Sequence, residues 1–167
     1  MRRREFLLGS AAGAALLGGA ALGVGRSTRQ AVAAGEGYEI VKSEAEWRAL
    51  LSPAQYAVLR EEHTERPFSS PLNDEKRAGV FHCAGCDLPV YSSAAKFDSG
   101  TGWPSFWESL PNAIGTKVDT SFFMERVECH CRRCGGHFGH IFDDGPPPTG
   151  ERHCINGLAL IFKPGEA

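Results

Sequence analysis

The 167-residue chain is predicted to fold as a mainly β domain with short N-terminal helices. Glycine (20 residues) and proline (10 residues) are plentiful, and long helical periodicities are scarce outside the N-terminal part. From Gly79 onward, short apolar stretches alternate with turn residues, which is the pattern of short strands. A hydrophobic fraction of 42% supplies enough apolar side chains for a core.

Residues 1–33 have the composition of an export signal. Arg3-Arg4-Glu5-Phe6-Leu7 lies at the start, an apolar run extends from Leu7 to Val24, and the small residues Ala31-Val32-Ala33 follow. This order is typical of a cleaved signal peptide, and the paired arginines resemble a twin-arginine signal. We therefore predict a domain at 34–167 that the twin-arginine export machinery delivers to the periplasm or another extracytoplasmic space. The alternative is an uncleaved membrane anchor, although the glycine-rich run is barely long enough to span a bilayer.

Two short helices are predicted before the strands begin. Ser43-Glu44-Ala45-Glu46 has the form of a capping box, and Trp47, Leu50 and Leu51 would form the buried face of the helix. Ser52-Pro53-Ala54-Gln55 is a second cap with proline at the first helical position. The strands are predicted at Val80–His82, Leu88–Tyr91, Phe122–Cys129, Phe138–Phe142 and Ile155–Phe162.

Two Cys-x-x-Cys pairs, Cys83 with Cys86 and Cys131 with Cys134, are typical of a tetrahedral zinc site. Each pair forms a tight turn that brings two sulfur atoms to one side, and two turns complete the tetrahedron. A redox pair of thioredoxin type would need a βαβ context and does not explain two copies. We therefore predict one structural Zn²⁺ per chain.

Cys154 cannot be a fifth ligand of such a zinc site, so it is free to act as a nucleophile. Arg152 and His153 flank it, and cationic neighbours lower the pKa of a thiol. The alternative is a buried structural cysteine at the start of an apolar strand. His137 and His140 are candidates for metal binding or acid–base chemistry, or they are histidines without a chemical role.

Residues from about Gly37 to Pro164 resemble the B-type methionine sulfoxide reductases, which reduce the R epimer of methionine sulfoxide. This resemblance implies an antiparallel, barrel-like β fold with a zinc ion remote from the active site, and we expect a monomer. It rests on several motifs in the same order: Arg66-Pro67-Phe68, Cys83–Cys86, Lys96–Phe106, Cys131–Cys134, His137–His140, Asp144-Gly145-Pro146 and Arg152–Asn156.

The resemblance also implies a chemical role for three residues. The thiolate of Cys154 would attack the sulfoxide sulfur, which gives a sulfenic acid and releases methionine. His137 and His140 would supply protons to the departing oxygen. The substrates would be oxidised proteins, and the exported enzyme would repair them.

Four further residues receive roles from the resemblance. Arg152 would hold the thiolate, and Asn156 would hydrogen-bond in the site from the same strand face as Cys154. Trp103 and Phe106 would contact the substrate, since sulfur–aromatic contact is favourable for its S-methyl group.

The chain departs from many members of this family at Thr101, where they carry a resolving cysteine. That cysteine forms a disulfide with the nucleophile, and thioredoxin then reduces the disulfide. Here either an external thiol reduces the sulfenic acid directly, or Cys129 takes the resolving role. Cys129 alternates with Cys131 along one strand and is expected to be buried or close to the zinc. We therefore predict direct reduction by thioredoxin or a similar external thiol.

Two other classes of function use some of the same features. A zinc-stabilised binding module would need the four paired cysteines, but it has no use for Cys154 beside Arg152. A thiol peroxidase or disulfide exchanger could use Cys154, but no resolving partner is apparent. Residues 34–167 carry a formal net charge of −6, against −2 for the whole chain, so we do not expect nucleic-acid binding.

Overall fold

The computed structural model describes residues 37–121 and 124–165. The predicted export signal, residues 1–33, lies outside the described residues, as does the start of the strand predicted from Phe122. Within the described ranges, no helix has both the length and the apolar character needed to cross a bilayer.

The two predicted helices are confirmed as α1, Glu44–Leu50, and α2, Pro53–Glu61. The Ser43 hydroxyl accepts the Glu46 N–H (3.3 Å), and the Glu46 carboxylate accepts the Ser43 N–H (2.8 Å), so the capping box is complete. A second box of the same form begins α2. The buried face of α1 was predicted only in part: Trp47 and Leu51 are buried, but Leu50 is exposed.

Nine strands in the described residues form two open, antiparallel sheets. The first sheet has the order β2-β1-β9, and the second has the order β3-β4-β8-β7-β6-β5. The mainly β, antiparallel prediction is confirmed, but neither sheet closes into a barrel within these ranges, so the barrel-like part is not. The strands are β1 Gly79–Cys83, β2 Pro89–Ser92, β3 Lys96–Phe97, β4 Ser105–Phe106, β5 Ile114–Asp119, β6 Arg126–Cys131, β7 His137–Phe142, β8 Arg152–Ile155 and β9 Leu160–Pro164.

The continuous strand predicted over Ile155–Phe162 is wrong. β8 ends at Ile155, a short 3₁₀ turn occupies Gly157–Ala159, and β9 begins at Leu160. The break has a clear physical reason, because β8 and β9 belong to different sheets and the chain must change direction between them.

Aromatic side chains join the two sheets. Phe106 of β4 stacks on Tyr91 of β2, with ring centroids 4.3 Å apart, and meets Phe81 of β1 edge-on at 5.0 Å. Phe106 is completely buried. Its predicted contact with substrate is therefore not seen, because its side chain belongs to the core between the sheets.

Candidate active site and metal centre

Cys154 lies on β8, in the middle of the six-stranded sheet. It pairs with Ser105 of β4 on one side and with His140 of β7 on the other, and His140 in turn pairs with Glu128 of β6. Cross-strand partners point to the same face of a sheet, so these four side chains share one face, which we call the site face. Cys154 is partly exposed there, which its predicted role as a nucleophile requires.

A hydroxyl group approaches Cys154 from the loop between β3 and β4. The Thr101 Oγ1 atom lies 3.9 Å from Cys154 Sγ. Ser99 holds the Thr101 hydroxyl at 2.8 Å and also contacts the hydroxyl of Ser105 at 2.7 Å. Thr101, where the resemblance indicates a missing resolving cysteine, therefore lies directly beside Cys154 and offers no thiol.

Arg152 is fixed on the site face by a carboxylate and a ring. Its guanidinium donates two hydrogen bonds to Asp144, at 2.8 and 2.9 Å, and its central carbon lies 4.4 Å from the centroid of Phe142. A bidentate pair of this kind fixes both position and orientation. Arg152 therefore holds a permanent positive charge two residues from Cys154 on the same strand face.

The pKa of Cys154 differs from the prediction made from its neighbours. Burial raises the pKa of the Cys154 thiol above its ordinary value, and the lowering effects of Thr101 and Arg152 do not outweigh it. The other predicted neighbour, His153, points to the opposite face. There its ring contacts the Tyr91 hydroxyl at 3.2 Å and the Glu151 carboxylate at 3.0 Å. A raised pKa favours the thiol form of Cys154 at neutral pH, so its predicted use as a nucleophile would need a base.

His140 has a carboxylate partner that the sequence analysis missed. The Nε2 atom of His140 lies 2.8 Å from Asp119 Oδ2, and Arg126 donates to the same oxygen at 2.6 Å. Hydrogen bonds from Ser121, and then from His140, keep the pKa of Asp119 well below its usual value. Asp119 ends β5, a largely exposed edge strand without apolar alternation, so no sequence signal indicated it.

His137 also has a carboxylate partner, Glu128. Glu128 is buried and accepts hydrogen bonds from Nδ1 of His137 (2.6 Å) and Nδ1 of His130 (3.1 Å). Burial alone would raise the pKa of Glu128, but the bonds from His130 and His137 lower it to about 2. The rings of His137 and His140 meet at 5.6 Å. The period-two alternation of Glu128 and His130 could have indicated this partner.

Trp103 is anchored by its indole N–H, which donates to the carbonyl oxygen of Glu65 at 3.1 Å. The carboxylate of Glu65 is buried and accepts the backbone N–H groups of Gly157 (2.6 Å) and Leu158 (3.1 Å). Trp103 is partly exposed and, with Phe68, lines a cavity of about 380 Å³. The tryptophan is therefore held at its N–H while one side remains accessible, on a cavity whose lining does not include Cys154.

Asn156 does not share the strand face of Cys154, because β8 ends one residue earlier. Its side chain is buried, donates to the Phe138 carbonyl at 2.9 Å and accepts the Glu65 N–H at 2.9 Å. These bonds connect Glu65 to β7. Asn156 thus stabilises the backbone that supports the site, and the predicted strand position is wrong.

Cys129 is completely buried and lies on the other face of the sheet. It pairs with Gly139, and Gly139 pairs with Ile155, the neighbour of Cys154 in sequence. Adjacent residues of a strand point to opposite faces. Burial also raises the pKa of the Cys129 thiol well above its ordinary value. The structure therefore separates Cys129 from Cys154 by the thickness of the sheet.

The four predicted zinc ligands come together. The Sγ atoms of Cys83, Cys86, Cys131 and Cys134 all lie within 4.8 Å of one another. Cys83 and Cys134 are 3.7 Å apart at sulfur, and Cys86 and Cys131 are 3.5 Å apart. Four sulfurs at the usual Zn–S distance of about 2.3 Å form a tetrahedron with edges of about 3.8 Å. These spacings exceed that of a disulfide, about 2.05 Å, and fit a Cys₄ zinc site.

Gly139 allows β7 to approach β8, the strand that carries Cys154. A Cβ atom at this position would collide with the carbonyl oxygen of Cys154. We expect Gly139→Ala to lower the free energy of unfolding by about 3 kcal/mol, measured by urea denaturation, because two strands must move apart. Gly150→Ala is the control, since its Cβ meets nothing within 4 Å and only the positive φ is strained. Equal losses of unfolding free energy in the two variants would contradict the close approach of Gly139 to the Cys154 carbonyl oxygen.

Comparisons with known proteins agree with one another. The family described as the SelR domain matches residues 51–164. A relative from Pseudomonas entomophila is 55% identical over 127 residues, which is 75% of this chain and 97% of the relative. One from Methanosarcina barkeri is 52% identical over 128 residues, 76% of this chain and 90% of the relative. One from Leifsonia xyli is 50% identical over 134 residues, which is 78% of this chain and 96% of the relative. All three are named peptide methionine sulfoxide reductase MsrB.

Proposed function

The chain belongs to the SelR domain family, and on this premise we propose that it is a peptide-methionine (R)-S-oxide reductase. Such an oxidoreductase returns the R epimer of methionine sulfoxide in proteins to methionine. The observation that carries the proposal is a partly exposed Cys154 on the site face, with Thr101 at 3.9 Å and His140 as its cross-strand partner. The anchored, partly exposed Trp103 offers an aromatic surface for the S-methyl group of the substrate.

The proposed chemistry is nucleophilic attack by sulfur. The thiolate of Cys154 attacks the sulfoxide sulfur, the S–O bond breaks, and the oxygen ends on Cys154 as a sulfenic acid while methionine is released. The positive charge of Arg152 stabilises the thiolate and the negative charge that develops on oxygen. His137 and His140 are the groups that can give a proton to that oxygen.

An external thiol is proposed to reduce the sulfenic acid. Thr101 contributes a hydroxyl beside Cys154, and Cys129 is buried on the opposite face. Direct attack by thioredoxin or a similar thiol requires only that Cys154 be reachable, and its partial exposure fits this requirement.

The zinc ion is proposed to be structural. Cys83, Cys86, Cys131 and Cys134 would hold it, and a site filled by four thiolates leaves no open position for substrate. Its contribution would be to stabilise the fold.

The cellular setting is part of the proposal. The composition of residues 1–33 supports export by the twin-arginine machinery, and the natural substrates would be oxidised exported proteins. We propose that the enzyme acts as a monomer and does not bind nucleic acid, in line with the acidic charge of residues 34–167.

The test is the reduction of the separate R and S epimers of a blocked methionine sulfoxide by the zinc-loaded chain, with dithiothreitol as reductant. We expect turnover of the R epimer and no measurable turnover of the S epimer. Equal turnover of both epimers would contradict the assigned selectivity. Folded, zinc-loaded protein that reduces neither epimer would reject the reductase function and favour a zinc-stabilised binding module.

A further inference from the structure

His140 lies between a carboxylate and the nucleophile. Its Nε2 atom is 2.8 Å from Oδ2 of Asp119, and in the register of β7 and β8 it is the direct neighbour of Cys154. Cross-strand neighbours have Cβ atoms about 5 Å apart. The order Asp119, His140, Cys154 therefore runs across the site face from β5 to β8.

The charge of Asp119 decides which nitrogen of His140 carries a proton. Asp119 accepts hydrogen bonds from Arg126 (2.6 Å) and from the backbone N–H of Ser121 (2.9 Å), and these bonds favour its ionised form. An ionised carboxylate only accepts hydrogen bonds, so Nε2 of His140 must be the donor. In the neutral ring Nδ1 then keeps a lone pair, and among the described residues Nδ1 makes no hydrogen bond.

The protonation states of the pair are those from which a general base mechanism starts. Burial lowers the pKa of His140, although the hydrogen bond to Asp119 raises it in part. Burial raises the pKa of Cys154. At neutral pH the site therefore contains a thiol and a neutral imidazole, which are the reactants that a general base mechanism needs.

The other charged groups around His140 do not replace Asp119. Glu128 is already engaged by two histidines, and Arg126 lowers the pKa of His140. The titratable and charged groups that face His140 are Asp119 from β5, Arg126 and Glu128 from β6, His137 from its own strand, and Arg152 and Cys154 from β8.

We infer that Asp119 is a positioning residue for the proposed reductase reaction, and that it holds His140 with Nδ1 available to move the Cys154 proton to the sulfoxide oxygen. The inference rests on the proposed function. The Sγ–H bond of Cys154 breaks and its proton passes to Nδ1, two electrons pass from Sγ to the methionine sulfur, and the S–O bond breaks. The oxygen bonds to Sγ and receives the proton from Nδ1 of His140, which returns to its neutral form. Thiol and sulfoxide give sulfenic acid and sulfide, with no proton gained or lost.

Asp119→Asn tests this role, because asparagine keeps the size of the side chain and removes its charge. We expect kcat to fall about ten- to a hundredfold with little change in KM, since positioning is lost in the transition state. We also expect the acidic limb of the kcat/KM profile to move to lower pH, because the pKa of His140 falls when Asp119 no longer raises it. Asp119→Glu should restore part of kcat.

Asp87→Asn is the matched control. Asp87 lies 3.2 Å from Nδ1 of His82 and 2.6 Å from Nζ of Lys163, so it also pairs with one histidine and one cation. Both partners belong to the three-stranded sheet and not to the site face. We expect kcat and the pH profile of this variant to equal those of the unaltered chain. A loss equal to that of Asp119→Asn would overturn the inference.

The tautomer of His140 can be measured in the unaltered chain, which covers the case that Asp119→Asn does not fold. A two-bond ¹⁵N–¹H correlation spectrum should show the proton on Nε2, and a proton on Nδ1 would overturn the inference. The unaltered chain could reduce the R epimer while Asp119→Asn shows the same kcat and the same acidic limb of its kcat/KM profile. In that case only this inference fails. An unaltered chain that reduces neither epimer rejects the proposed function itself.

Discussion

Replacing Cys154 with serine is expected to lower methionine sulfoxide reduction by a thousandfold or more, on the order of what removing a covalent nucleophile costs. A hydroxyl is a far weaker nucleophile than a thiolate, and serine cannot form the sulfenic acid that stores the oxygen. The fold should be retained, because the change is small and Cys154 is partly exposed. The first measurement is the rate of both proteins with dithiothreitol. The second is labelling by a sulfenic-acid reagent after one turnover without reductant, which should mark residue 154 in the unaltered chain and not in the variant.

Cys129→Ser is the matched control for this loss, since it removes the other cysteine outside the predicted zinc site. The variant should keep its rate with both dithiothreitol and thioredoxin, because Cys129 lies on the opposite face of the sheet and is buried. Loss of the thioredoxin-dependent rate, with the dithiothreitol rate kept, would mean that Cys129 does resolve the sulfenic acid. Full activity of Cys154→Ser would remove Cys154 from the mechanism.

The second large effect is expected at the metal site. Cys134→Ser should lose zinc and lower the free energy of unfolding by about 4 kcal/mol or more, because ion binding and folding are coupled. Cys134 is buried, and its sulfur lies 3.7 Å from that of Cys83, so the remaining thiols would be left buried without the ion that holds them together. Zinc per chain by mass spectrometry and a urea titration measure the two effects.

Cys154→Ser is the control for this loss, since it should retain one zinc ion per chain and an unchanged urea midpoint. A Cys134→Ser protein with full zinc content and unaltered stability would contradict the four-cysteine site. Removal of the ion from the unaltered chain by a chelator should give the same loss of stability as the variant, which separates the effect of the metal from that of the substitution.

The helices and the metal ligands could be predicted because their signals are local. Ser43 and Glu46 are three residues apart, and a capping box needs nothing else. Each Cys-x-x-Cys pair likewise defines its own turn, and only the meeting of the two pairs depends on the fold. The fold class followed from the same kind of short-range pattern.

The carboxylate partner of His140 could not be predicted, because it depends on register between strands that are distant in sequence. Asp119 reaches His140 only when β5, β6 and β7 lie side by side, and β5 carries no apolar alternation that would identify it as a strand. Asn156 illustrates the same limit. Counting by twos from Cys154 places it on the same face, but β8 ends at Ile155 and the count no longer applies.

The two Cys turns follow β1 and β6, strands of different sheets, so a bound ion would cross-link the three-stranded sheet to the six-stranded one. A disulfide could serve as such a link, but dithiols such as thioredoxin reduce accessible or strained disulfides. The same reductants are proposed to regenerate Cys154. A metal–thiolate link contains no S–S bond for a thiol to attack. A chain that holds zinc there could therefore meet a thiol reductant at every turnover without losing the connection between its sheets.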